Sequence, residues 1–267
     1  MIPKVVHYIW FGGKPFTEKA QKCFDSWKKH LPDYKFIRWD ESNYNVDKYQ
    51  FTKEAYQRKI YAFVSDVARL DIIYEYGGIY MDLDVEVLKN LDPFLTNEAF
   101  SGMQGDFCIN PGSILGASAH NQIIGDMLKE YITKPFVIDE RNNLLNNTAI
   151  PKVVTSILIQ RGYLLNGKEQ VIDGFHVYTE DFFTPDLKEI HKGNIPSNCY
   201  TIHDYAGSWV SNKYYERKSK WYWRIIIYIS EYSAFFGRKI LGEDKWQKFR
   251  NRFFKKLHSK IQRTTRE

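Results

Sequence analysis

Apolar and polar residues repeat along this chain with two different periods, and the periods alternate. Near the N-terminus Val5, His7 and Ile9 alternate with Val6, Tyr8 and Trp10, but nearly all are apolar. That pattern predicts a strand covered on both faces. Residues 17–30 read as a helix and residues 34–40 as a second strand, with Pro32 between them and Asp40-Glu41-Ser42-Asn43 as a turn. A helix pair is expected within 45–59. Residues 65–76 then place Val64, Val67, Leu70 or Asp71, and Tyr74 on one helical face. Gly77 suits a left-handed C-cap there, and Gly78 a sharp turn.

After the glycines, Ile79, Met81, Leu83, Val85 and Val87 alternate with Tyr80, Asp82, Asp84 and Glu86. A period of two predicts one continuous strand with a buried face. Residues 118–133 and 150–162 read as helices, and short strands near 171–178 and 199–203 are expected to return to the sheet. Strands and helices that alternate in this way predict an α/β fold around a mostly parallel sheet.

The chain has 267 residues, enough for one sizeable core, and residues 1–212 are assigned to a single domain. The remainder, 213–267, is different in kind. It holds 16 Lys/Arg against 5 Asp/Glu, a balance of +11. Subtracted from the whole-chain +6, this leaves residues 1–212 with 22 basic and 27 acidic residues, or −5. The excess positive charge therefore belongs to the tail, and it points to an anionic partner. Within the tail, Trp246, Phe249, Phe253, Leu257 and Ile261 fall on one helical side, and Lys245, Lys248, Arg252, Lys255, Lys256 and Lys260 on the other. An in-plane membrane helix has this pattern, with aromatic wedges below and cations toward acidic headgroups. Helices packed on the domain or on a second subunit are the alternative. A nucleic-acid partner is not expected.

Cysteine usage and apolar runs narrow the setting. Cys23, Cys108 and Cys199 are odd in number and far apart, which argues for a reducing compartment over a disulfide framework. Neither a leader-like N-terminus nor an apolar run of membrane-spanning length is visible. The expected location is cytoplasmic, peripheral on the inner face of the cell membrane.

Asp82 and Asp84 carry the chemistry. On a strand, residues two apart point the same way, so both carboxylates would lie side by side. Adjacent carboxylates repel unless a cation sits between them, and hard oxygen ligands suit Mg²⁺ or Mn²⁺. A cation held by few protein ligands keeps positions open for a diphosphate. An Asp-x-Asp alone is weak, since about one is expected by chance in a chain of this size. Asp66 and Arg69, three apart on the preceding helix, add a charged pair to the same region.

The block from Ala62-Phe63-Val64-Ser65-Asp66 through Val85 resembles the donor-sugar-binding signature of the DXD glycosyltransferases of family 32. Ile2 through Gly13 resembles the family's first strand and nucleotide-facing loop. The segment Ile109-Asn110-Pro111-Gly112-Ser113-Ile114-Leu115-Gly116 resembles the stretch that follows the metal strand, and His203-Asp204-Tyr205-Ala206-Gly207-Ser208-Trp209 the closing His-x4-Ser-Trp element. The resemblance implies a GT-A-type nucleotide-binding domain extended by the basic helical tail. It implies Asp82, Asp84 and His203 as metal ligands, with Mn²⁺ or Mg²⁺ bound. It implies donor contacts from Trp10, Gly12, Gly13, Asp66, Arg69, Tyr80, Asp82, Asn110, Ser208 and Trp209, and catalytic roles for Asp66, Arg69, Asp82 and Asp84.

The expected activity is retaining transfer of a hexose from a nucleotide-diphosphate sugar to a polysaccharide or lipid-linked oligosaccharide, as in capsule, exopolysaccharide or lipopolysaccharide synthesis. UDP-hexose is the first choice of donor and GDP-mannose the second. A catalytically silent, membrane-associated nucleotide-sugar-binding or scaffold protein is the alternative, as is a transferase that glycosylates protein.

Overall fold

A computed structural model of the protein describes residues 1–105, 107–136 and 149–204. The expectations for the tail, and those for Ser208 and Trp209, lie outside the described residues. The elements run β1 (Val5–Ile9), α1 (Glu18–His30), β2 (Lys35–Trp39), α2 (Gln50–Gln57), α3 (Tyr61–Tyr76), β3 (Gly78–Tyr80), β4 (Val85–Val87), β5 (Ala99–Gly102) and β6 (Leu115–Ala117). They continue as α4 (Gln122–Ile132), α5 (Ile150–Gln160), β7 (Gln170–Ile172), β8 (Phe175–Tyr178), α6 (Glu180–Phe183), α7 (Leu187–His191) and β9 (Thr201–His203).

Seven strands form one sheet in the order β2-β1-β3-β6-β5-β8-β7. Following the pairings across it, β1, β2, β3, β5 and β8 run one way, and β6 and β7 the other. This is the α/β, mostly parallel architecture that the alternation of elements predicts. As expected of a strand covered on both faces, β1 feeds two hydrophobic clusters. Val6 and Tyr8 pack with Trp27 of α1, while Ile9 packs with Val64, Val67 and Leu70 of α3.

The most deeply set helix is α3. From Val67 to Ile73 every residue is buried, Arg69 and Asp71 included. Each fully buried aliphatic side chain there contributes about 1.5–3 kcal/mol, so burial outweighs the weak amphipathicity of the helix. The helix ends at Gly77, with φ 63° and ψ −175°, a backbone conformation open essentially to glycine alone. A Cβ at Gly77 would stand 2.7 Å from the Ala119 amide nitrogen. Buried Asp71 accepts hydrogen bonds from Lys48 Nζ (2.7 Å), Tyr49 Oη (2.8 Å) and Tyr44 Oη (3.2 Å), which ties the segment before α2 to α3. Residues 45–59 hold one helix, α2, in place of the expected pair.

Two strand expectations are corrected. Residues 79–87 are not one strand: β3 stops at Tyr80, the chain turns through Met81–Asp84, and β4 begins at Val85. The break has a local cause. The Asp82 amide donates to the Gly112 carbonyl (2.9 Å), and the Val85 amide donates back to Asp82 (3.1 Å), which closes a turn. The strand at 201–203, β9, does not return to the main sheet but pairs with β4 in a separate two-stranded sheet. The region 170–178, in contrast, joins the main sheet as the antiparallel pair β7 and β8.

Candidate active site

The parallel strands β1 and β3 lie side by side, so their carboxyl ends share one edge of the sheet. Open α/β sheets bind ligands at such an edge. Trp10 follows β1 there, and the turn carrying Asp82 and Asp84 follows β3.

The turn is held from several sides. Trp27 Nε1 donates to the Val85 carbonyl (2.7 Å), and the Val87 amide donates to Ser26 Oγ (2.9 Å), so α1 braces β4 from behind. The register of the small sheet sets His203 opposite Val85, next to Asp84 in sequence. The Asp204 amide then donates to the Asp84 carbonyl (3.0 Å). As a result His203 Nε2 lies 3.1 Å from Asp84 Oδ1. One ligand atom each from Asp82, Asp84 and His203 lie within 4.8 Å of one another. Two carboxylates and an imidazole form a donor set that fits a divalent cation of the Mn²⁺ type.

Each member has its own support. Tyr80 Oη donates to Asp82 Oδ1 (2.6 Å). Burial raises the Tyr80 phenol well above its usual range and keeps it a neutral donor. Arg69 Nη2 stands 3.1 Å from Asp66 Oδ1 and 3.5 Å from Asp82 Oδ1, Nε donates to the Ser65 carbonyl (3.1 Å), and the guanidinium covers the Tyr80 ring at 4.8 Å. Arg69 is therefore buried behind Asp82, where burial disfavours its charge and the neighbouring Asp82 and Asp66 more than offset that effect. Asp66 is raised to about 6, chiefly by burial, with Arg69 opposing.

Asn110 links the two halves of the site. Its Oδ1 accepts from the amides of Gly112 (3.1 Å) and Ser113 (3.3 Å), which fixes which end of the amide is oxygen. Nδ2 is thereby turned to His203 Nδ1, 3.3 Å away. Asn110 thus holds the Nδ1 edge of the ring and leaves Nε2 turned toward Asp84.

The loop after β1 is more engaged than its sequence suggests. The Gly12 amide donates to Glu41 Oε1 (2.6 Å), which also accepts from Tyr56 Oη (3.0 Å). Gly12 (φ 90°) and Gly13 (φ 65°) both have positive φ. Trp10 Nε1 donates to the Lys14 carbonyl (2.6 Å), and its ring meets Phe16 edge-on at 5.1 Å.

The structure thus brings Asp66, Arg69, Tyr80, Asp82, Asp84, Asn110 and His203 into one connected group and sets Trp10, Gly12 and Gly13 on the same sheet edge. Reading the sequence did not single out Gly112. A Cβ at this residue would lie 2.5 Å from Asp82 Oδ2 and 2.9 Å from Arg69 Nη1, so the site closes only over a bare backbone. Glu41 was also missed as the partner of Gly12. An Asn-Pro-Gly turn and an acid after β2 are the only local signals for either.

Part of this group lies in a stretch that matches known proteins. Residues 17–101 match the glycosyltransferase sugar-binding region containing the DXD motif. That stretch is similar to the sugar-binding region of the DXD glycosyltransferases and contains both aspartates of the motif. Inositol phosphoceramide mannosyltransferase 1 of Schizosaccharomyces pombe is 32% identical over 108 residues, 37% of this chain and 33% of the relative. A mannosyl phosphorylinositol ceramide synthase of Saccharomyces cerevisiae is 33% identical over 111 residues, 38% of this chain and 27% of the relative. The match thus spans about a third or less of these yeast relatives. A mimivirus glycosyltransferase is 26% identical over 227 residues, 78% of this chain and 84% of the relative. Among solved structures, the PaToxG glycosyltransferase has a TM-score of 0.45 at 20% identity, covering 60% of this chain and 68% of its own. The sugar-binding region includes Asp66, Arg69, Tyr80, Asp82 and Asp84, whereas Trp10, Asn110 and His203 lie outside it.

Proposed function

We propose that this chain is a metal-dependent, retaining glycosyltransferase that moves a hexose from a nucleotide-diphosphate sugar to a lipid-borne or polysaccharide acceptor. The convergence of Asp82, Asp84 and His203 within the reach of one cation, in a DXD sugar-binding region, carries this reading. Asp82, Asp84 and His203 would hold Mn²⁺ or Mg²⁺, which when bound supplies Lewis-acid stabilisation to a departing nucleotide diphosphate.

The chain's own residues do the rest. Tyr80 and Arg69 fix the Asp82 carboxylate from behind, so that it does not have to be ordered when the donor arrives. Asn110 holds the His203 ring. Asp66, which is partly open beside Arg69, accepts hydrogen bonds from donor-sugar hydroxyls. Trp10 stacks on the base at the sheet edge, and Gly12 and Gly13 keep the loop thin beside it. Retention follows from the family resemblance.

The names of the yeast relatives specify mannose and an inositol phosphoceramide. They favour GDP-mannose over UDP-hexose for this chain and a lipid-borne acceptor over a free glycan. A lipid acceptor also suits the +11 tail, read as a contact with anionic lipid from the cytoplasmic side. No helix among the described residues is long and apolar enough to cross a membrane.

A panel of nucleotide sugars tests the proposal, scored with Mn²⁺ or EDTA for thermal shift and slow donor hydrolysis. Metal-dependent stabilisation and hydrolysis with one donor are expected. Binding of a donor with no hydrolysis and no transfer to any lipid or glycan acceptor would make the chain a silent binding protein instead.

A further inference from the structure

Among the described residues, one buried side-chain polar atom has no hydrogen-bond partner: the Tyr131 hydroxyl. The residue is 1% exposed. Its ring is well packed, meeting Phe51 edge-on at 5.2 Å with Lys134 Nζ 5.6 Å from its centroid. A phenylalanine would fill the same space without stranding an oxygen, and an unpartnered buried hydroxyl costs about 1–3 kcal/mol. The packing therefore does not explain why this residue is a tyrosine.

Its surroundings do. Tyr131 lies on α4, which packs against α3, the helix carrying Asp66 and Arg69. The hydroxyl is within electrostatic reach of both: beyond the effect of burial, Asp66 pushes the phenol up and Arg69 pulls it down. Asp66 is itself incompletely partnered. Its Oδ1 faces Arg69 Nη2, and among the described residues no hydrogen bond reaches Oδ2. A buried hydroxyl without a partner, on a helix packed against the one that carries Asp66, is satisfied by a single small hydroxyl-type ligand that accepts from the hydroxyl and donates to the carboxylate.

We infer that a buried water joins the Tyr131 hydroxyl to the Asp66 carboxylate, which makes Tyr131 the positioning residue for Asp66. The water fixes the carboxylate plane beside Arg69, so that Asp66 presents one orientation to the donor sugar. The role toward the sugar rests on the proposed function, whereas the bridge itself does not.

The test is a double-mutant cycle of Tyr131→Phe and Asp66→Asn, read first in urea unfolding and then in donor kinetics. With the bridge, Tyr131→Phe raises the unfolding constant about tenfold, because the hydrogen bond to the bridging water is lost. In the Asp66→Asn background the same change has a markedly smaller effect. A crystal structure would show the water within hydrogen-bond distance of both side chains. If Tyr131→Phe leaves stability unchanged or raises it, or if the two substitutions are additive, the bridge does not exist. Neither readout needs turnover, so the bridge is decided even if no donor is ever hydrolysed. Where transfer is measurable, Tyr131→Phe raises the donor KM about tenfold, yet the Kd of the sugar-free nucleotide diphosphate stays within about twofold. A KM that does not move would remove the positioning role and leave a structural water.

Discussion

His203 Nε2 and Asp84 Oδ1 are 3.1 Å apart because β4 and β9 pair with Val85 opposite His203. Residues remote in sequence thus become two corners of one group that could hold a metal ion, with Asp82 as the third. Asp84→Ala removes a corner and leaves the sheet pairing, which is made by backbone. Transfer falls about a thousandfold, the several kcal/mol that a lost Lewis-acid contribution represents. The melting temperature in EDTA stays close to that of the parent, while the stabilisation by Mn²⁺ disappears. Normal turnover in Asp84→Ala would rule out the metal assignment.

Arg69 is a different case, since its charge is buried between two carboxylates. Arg69→Met keeps much of the volume and leaves Asp66 and Asp82 uncompensated. Loss of one partner from a buried ion pair costs about 3–5 kcal/mol. Equilibrium urea unfolding of the metal-free protein should show that loss. A change under about 1 kcal/mol would mean that the guanidinium is not buried against these carboxylates.

Gly112→Ala tests the steric wall. The added methyl would lie 2.5 Å from Asp82 Oδ2, so the carboxylate must shift. Misplacing a catalytic group by about 1 Å costs on the order of a hundredfold in rate. The circular dichroism spectrum should stay native while kcat/KM falls by that factor. A fully active alanine variant would show that the backbone at 112 has room the structure does not give it.

His7 sets a pH limit on the fold. Its Nδ1 accepts from Trp39 Nε1 (3.0 Å), so Nε2–H donates to the Gly77 carbonyl (2.9 Å), and the ring is neutral and buried. Burial lowers its pKa from 6.5 to about 4, with the Gly77 bond opposing. Between those values the unfolded chain binds a proton that the folded chain excludes. The contribution is fully present above pH 6.5 and is lost as pH falls through 4, to a total of about 3 kcal/mol. Asp66 works in the opposite sense, since its raised pKa favours the folded state as pH falls from 6. The clean measurement is therefore parent against His7→Gln, in which the Asp66 effect is common to both and cancels. The stability difference between the two proteins should shrink from pH 7 to pH 4, and a difference independent of pH would refute the assignment.

The tail can be tested apart from the site. Deleting residues 245–267 removes nine Lys/Arg and the aromatic residues spaced among them. Binding to vesicles containing phosphatidylserine should fall by at least tenfold, whereas the thermal shift with nucleotide stays. Undiminished vesicle binding would assign the membrane contact elsewhere.

How much of this could be read along the chain depends on the range of the interaction involved. The helix over residues 65–76 and its glycine terminus are local facts of side-chain period and allowed backbone, and α3 ends at Gly77 as expected. The strand over 79–87 also follows the period of its side chains, yet the chain breaks it. A hydrogen bond from Asp82 to Gly112 competes there with continued pairing, and no periodicity within 79–87 contains residue 112. Residues 199–203 show the same limit: strand character was legible, but the choice of partner strand was not.

The identity of the acidic motif, the charged pair one helix earlier, and the separation of a basic tail from an acidic domain are properties of the sequence alone. They follow from covalent order and side-chain chemistry. The tertiary structure decided that Asp82 and Asp84 sit on a turn between two sheets, that Arg69 braces Asp82 from behind, that Gly112 has no room for a methyl group, and that the buried Tyr131 hydroxyl finds no partner among the described residues. Each of these depends on the register of strands and the packing of helices far apart in sequence, where one residue's position is set by the volume and hydrogen-bonding needs of its neighbours in space.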